Sequence, residues 1–202
     1  MAVLTRRILI AAAAALALTA CDKLAPGGGK AFKAIDITGA EYAQALSLPD
    51  AEGKLRTLAD FKGKVIVVFF GYVQCPDVCP TTLAELADVK RRLGADGERV
   101  QGIFVTVDPE RDTAEMLKPY VANFDPSFVA LRGTPDETKA AAKQFKIFYN
   151  KVPGQTETSY TVDHTAGSYV FDTQGRVRLF TRYGSGADAL VHDIQVLLAE
   201  QK

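Results

Sequence analysis

The chain carries no excess of either charge: 24 Lys and Arg stand against 24 Asp and Glu over 202 residues, with no basic block beyond the first few positions. Contact with a phosphate backbone would call for such a block, so nucleic acid is not expected as a partner. Ligating side chains are scarce as well, with three cysteines and two histidines. A closed structural zinc site takes four such side chains, commonly as two close pairs, and only Cys75 and Cys79 form a close pair. The N-terminal apolar stretch, Ile8 to Leu18, falls short of the roughly 20 residues of a bilayer-spanning helix. Internal repeats are missing, and the only low-complexity stretch is Pro26-Gly27-Gly28-Gly29. What remains is a 48% hydrophobic chain, enough for one domain with a core and little room for a second.

Arg6-Arg7, the apolar stretch and then Leu18-Thr19-Ala20-Cys21 together read as an export signal. The segment resembles a bacterial lipoprotein cleavage site. Residues 1–20 are expected to be removed and Cys21 lipidated, with 21–40 a lipid-anchored flexible tether and 41–202 the folded domain. Asp22 resembles an inner-membrane retention signal, which puts the protein on the periplasmic face of the bacterial inner membrane. Cleavage deletes two of the 24 basic residues and no acid, leaving 22 against 24, a net charge of −2. Cys75 and Cys79 are then the remaining thiols, in an oxidising compartment.

Tyr42 to Leu48 and Lys54 to Leu58 flank the turn chemistry of Asp50-Ala51-Glu52-Gly53 and predict a hairpin. Val65-Ile66-Val67-Val68-Phe69-Phe70 is apolar at every position, the mark of a central strand buried on both faces. Helices are predicted from Pro80 to Gly94, Asp112 to Phe124, Pro135 to Phe145 and Ala187 to Leu198. Strands are predicted at Val100 to Val107 and Phe128 to Leu131, with a closing hairpin of Ser168 to Asp172 and Arg176 to Arg182. Residues 147–163 sustain neither period and predict an extended excursion or hairpin. This order mixes parallel βαβ units with an antiparallel end, as in a thioredoxin-like α/β domain with additions.

Cys75-Pro76-Asp77-Val78-Cys79-Pro80 directly follows the buried strand. Cys79 is expected at the N-cap of the helix, where unpaired N–H groups favour thiolate for both sulfurs. Two thiolates and an imidazole suit copper or zinc and are a poor set for magnesium or calcium. His164 lies 85 residues beyond Cys79 (164 − 79), so only folding can bring it near. A structural disulfide between the two thiols is the plain alternative, but its loop is too short to restrict the unfolded chain much. His192, beside Asp193, reads as a surface residue without a role. Asp108-Pro109-Glu110-Arg111-Asp112-Thr113 reads as a strand exit followed by helix capping.

With Val107 to Thr113 and Val162-Asp163-His164-Thr165, the cysteine segment resembles the Sco/SenC family of copper proteins that serve cytochrome c oxidase assembly. The resemblance runs from about Tyr42 to Leu198. It implies a thioredoxin-like fold in which Cys75, Cys79 and His164 are copper ligands for one ion, Cu(I) or Cu(II), and Asp163 is the acid beside the ligand histidine. It also implies delivery to the oxidase subunit carrying the copper A centre, exchange with a periplasmic thioredoxin-like reductant or another copper chaperone, and a monomeric carrier rather than an enzyme. The alternatives are a thiol–disulfide oxidoreductase that keeps the oxidase cysteines reduced, and a redox or copper sensor. Ala166 holds the place where thioredoxin-like reductases carry a cis-proline, and Tyr72 stands where peroxidases of that fold carry Thr or Ser. Both departures favour a carrier.

Overall fold

Residues 32–155 and 159–200 are described by the structure, a computed structural model. The expected signal segment 1–20, the Cys21 lipidation site and the tether as far as residue 31 lie outside the described residues.

In chain order, a short strand β1 (Ile35–Asp36) precedes the hairpin of β2 (Ser47–Pro49) and β3 (Leu55–Thr57). The apolar run forms β4 (Val65–Gly71), followed by α1 (Val78–Arg92), β5 (Val100–Thr106), α2 (Ala114–Ala122), β6 (Val129–Leu131) and α3 (Pro135–Gln144). Then come β7 (Tyr149–Pro153), β8 (Tyr160–His164), β9 (Gly167–Phe171), β10 (Val177–Arg182) and α4 (Ala187–Ala199). The main sheet has six strands in the order β1-β10-β9-β4-β5-β6. Strands β4, β5 and β6 are parallel, with Phe69 opposite Phe104 and Phe104 opposite Ala130, while β9 and β10 run antiparallel on the other side of β4.

Every residue of β4 and β5 is buried. Their lack of polar alternation leaves no face that could be given to water, so they occupy the sheet centre. Phe69, Phe70, Phe104, Phe145 and Phe171 are among the largest fully buried side chains. Parallel strands carry their connections beyond the carboxyl edge, where ligand sites of open α/β sheets collect. The loop after β4 carries the two cysteines.

The folded unit begins at Phe32, earlier than the expected boundary at residue 41. The cause is remote in sequence: fully buried Asp193 on α4 accepts hydrogen bonds from the Lys33 and Ala34 amides, both at 2.8 Å. His192 shares in this anchor, its Nδ1 lying 2.8 Å from Asp193 Oδ1, so it is not the idle surface residue that its position suggested. The described residues of 147–163 include the β7–β8 hairpin, which forms its own two-stranded sheet, Tyr149 opposite His164 and Pro153 opposite Tyr160, while 156–158 lie outside the described residues.

Candidate metal centre

Helix α1 starts at Val78 with Asp77 as its N-cap, so Cys79 is the second helical residue and not the cap. Pro80 is tolerated at the third position because the first four amides of a helix lack intrahelical partners. One of those amides is that of Cys79, and it points at Cys75 Sγ, 3.4 Å away. The helix terminus therefore serves the Cys75 sulfur.

Cys79 has a different environment. It is fully buried, and burial first, then the neighbouring Cys75 side chain, pushes its thiol well above the ordinary value of 9.0 despite a lowering contact from the Tyr72 backbone. The expectation of two helix-stabilised thiolates is corrected here: in the metal-free protein Cys79 is a thiol. A bound cation reverses that balance, because a coordinating thiol gives up its proton.

His164 ends β8. Its Nε2 lies 3.4 Å from Cys79 Sγ, and its Nδ1 lies 3.2 Å from the Thr165 carbonyl oxygen. Burial holds the imidazole below its ordinary value of 6.5, against raising contributions from the Thr165 backbone and then Asp163, so the ring is neutral at neutral pH. Nδ1–H donates to Thr165, which leaves the Nε2 lone pair facing the sulfur, the orientation a soft cation requires. Phe69 and Tyr72 fix the ring edge-on, at centroid distances of 5.8 and 6.0 Å.

The ligating atoms of Cys75, Cys79 and His164 lie within 4.8 Å of one another, the one such grouping among the described residues. An ion held at about 2.3 Å from sulfur and about 2.0 Å from nitrogen spaces its ligands by up to about 4–5 Å, so three donors already stand near coordination distance. Cys75 and His164 border an open cavity of about 300 Å³ whose wall also includes Tyr72, Pro76 and Ala166, with Cys79 buried behind them. Both cysteines are free thiols.

Asp163 does not hold the ring. Successive side chains of a strand point to opposite faces, and β8 follows that rule: Val162 is buried and Asp163 exposed. The Thr165 carbonyl orients the ring, and Asp163, the acid beside the histidine, acts on the imidazole only as a nearby charge. Asp112 is likewise displaced from its expected capping role. Thr113 is the N-cap of α2, while buried Asp112 accepts from the Val73 amide at 3.1 Å and from the Thr106 hydroxyl at 2.6 Å, tying the cysteine loop to the end of β5.

Two further residues escaped the sequence reading. A Cβ on Gly71 would sit 2.8 Å from Cys79 Sγ and 2.9 Å from the Phe104 and Phe69 rings, so only glycine lets β4 pass the thiol. The signal was present as the glycine that ends the apolar run. Arg111 was read with its neighbours as a strand exit, and its contacts with the hairpin depend on the fold.

Among solved structures, the chain is similar to Bradyrhizobium japonicum ScoI with copper bound (38% identity, TM-score 0.68, 75% of this chain and 96% of that one). It is also similar to apo Sco1 of Thermus thermophilus (38%, TM-score 0.73, 85% and 100%). Among curated proteins it matches the mitochondrial SCO2 homologue of Bos taurus at 37% identity over 143 residues, 70% of this chain and 53% of that protein. A SCO2-like protein of Rickettsia prowazekii matches at 35% over 130 residues, 64% of this chain and 63% of that protein. The chain thus spans about half the length of the bovine relative. Since the SCO1/SenC family model matches residues 36–199, on a thioredoxin-like fold with copper-bound relatives, the chain belongs to the SCO1/SenC family.

Proposed function

We propose that the protein is a membrane-anchored copper carrier, binding one ion through Cys75, Cys79 and His164 and delivering it to the copper A centre of cytochrome c oxidase on the periplasmic side of the inner membrane. The observation that carries the reading is the convergence of two soft sulfurs and a neutral imidazole within 4.8 Å, a donor set suited to Cu(I). Copper-bound structures of relatives from Bradyrhizobium japonicum, Arabidopsis thaliana and yeast support it. The oxidase as recipient rests on the family resemblance, and the anchor on the Leu18-to-Cys21 pattern.

The reduced protein is expected to hold about one equivalent of Cu(I) against a competing chelator. Cys75→Ser should not, and His164→Ala should retain only the weaker binding of a dithiol. Equal retention by all three would overturn the assignment.

A second reading, a thiol–disulfide oxidoreductase acting on the oxidase cysteines, draws on the two free thiols standing side by side, with the Cys79 amide directed at the more exposed Cys75 Sγ. Closing the Cys75–Cys79 disulfide releases two electrons and two protons to an acceptor disulfide and removes both sulfur donors. His164→Ala separates the readings, because it removes a metal ligand and leaves dithiol exchange intact. Oxidase assembly that survives the substitution favours the reductase.

A further inference from the structure

The β7–β8 hairpin holds the imidazole ligand at one corner, yet it is paired to no strand of the main sheet among the described residues. A lone two-stranded hairpin is marginal in water, so contacts from outside must set its position. Val162 supplies an apolar anchor, 4% exposed. At the His164 end, the Phe148 amide donates to Thr165 Oγ1 and the Thr165 amide to the Phe148 carbonyl, bonds within the hairpin's own base, while the Tyr72 hydroxyl meets the Val162 backbone at its middle. The opposite end, four residues away along β8 or roughly 13 Å, is where the hairpin meets the 108–112 loop.

We propose that Arg111 is a positioning residue for the metal centre, a latch that fixes the hairpin's tilt and so the approach of His164 to the two sulfurs; this rests on the copper-binding reading above. Its guanidinium joins three segments. Nε donates to Asp108 Oδ2 on its own loop, while one terminal nitrogen donates to the Tyr160 carbonyl of β8 at 2.8 Å and to Gln74 Oε1, beside Cys75, at 3.2 Å. The plane lies 3.5 Å from the Tyr160 ring centroid and 5.9 Å from that of Tyr72, the ring that also packs on His164. Tyr160 closes the circuit by donating its hydroxyl to Asp108 Oδ1 at 2.8 Å.

Burial makes this contact count. The Asp108 side chain is fully buried and that of Arg111 is 17% exposed, so the pair escapes most solvent screening. Lys151 and Glu110 bridge the same gap, but their side chains are 48% and 57% exposed, and such pairs contribute little. A lysine at 111 could keep the charge but could not donate from two directions while stacking on the ring.

The test uses the intact reduced protein and Cu(I) competition. Arg111→Ala is expected to lower Cu(I) affinity about 10–100-fold, the range for groups that orient ligands. Arg111→Lys is expected to restore little of it. In a His164→Ala background, Arg111→Ala should cause no further loss, because the latch acts through the imidazole. In the copper-free protein, Arg111→Ala should speed amide exchange at Tyr160 to His164 while β4 and β5 stay protected. Tyr160→Phe, which keeps the stacked ring, should show the same pattern more weakly and covers the case in which Arg111→Ala fails to fold. Equal loss of affinity in both backgrounds, or unchanged hairpin exchange, overturns the latch. If the wild type holds no copper, the carrier reading fails, and the exchange measurement still decides whether Arg111 sets the hairpin.

Discussion

Gly71 shows how closely the scaffold approaches the chemistry. Its missing side chain is the space in which Cys79 Sγ and the Phe69 ring meet, and Phe69 in turn packs on His164. Gly71→Ala should cost about 1–3 kcal/mol, the usual penalty for overfilling a packed core, and should also displace the thiol and weaken Cu(I) binding. Gly102 on the neighbouring strand is the control. A Cβ there would meet Phe128 at 2.6 Å and Leu86 at 3.0 Å, with no contact to the ligands. Gly102→Ala should therefore lower the urea midpoint comparably while copper affinity stays at the wild-type level. Loss of affinity in both variants would mean that global softening, and not local displacement, disturbs the site.

Among the elements, the β9–β10 hairpin owes its turn to one buried carboxylate. Asp172 accepts from the Gln174 and Arg176 amides, both at 3.0 Å, and from Arg176 Nε at 2.8 Å. Burial alone would raise its pKa, but the Arg176 side chain and the two amides outweigh that and hold it below 3.8. A depressed carboxyl contributes stability that is full above 3.8 and drains away as pH falls through the folded value. Asp172→Asn should cost about 1.5–3 kcal/mol at neutral pH, with the gap to wild type closing as the solution is acidified; a pH-independent gap in urea unfolding would sink the account. Such elements were legible in the sequence because their signals are local: an unbroken apolar run for β4, Thr173-Gln174-Gly175 for this turn, proline near the start of α1. The β7–β8 hairpin was legible only as one alternative to an extended excursion, since of β8 only Val162 is buried and its partners are side chains of the 108–112 loop. The start of the folded unit could not be read closely for the same reason: Asp193, some 160 residues away, anchors residues 33 and 34. The ligand trio was readable as a set by resemblance, whereas the Thr165 carbonyl that orients the imidazole was not, because a backbone carbonyl carries no sequence signature.

For the molecule as a whole, the three ligands link distant parts of the chain: Cys75 and Cys79 leave the central sheet, while His164 belongs to a hairpin outside it. An ion bound by all three closes a long loop that the unfolded chain would have to open, so binding and folding free energies add. With free Cu(I) buffered at about 1,000 times the dissociation constant, linkage contributes about 4.1 kcal/mol, which for a domain of this size is an upward shift in melting temperature of about 8–16 °C. The shift should shrink in His164→Ala, where the surviving donors are only four positions apart and span no tertiary contact. It should vanish once Cys75 and Cys79 are joined as a disulfide, since both sulfurs are then spent. A shift of the same size in wild type and His164→Ala would place the ion on the cysteine loop alone, and the hairpin would then have no part in holding it.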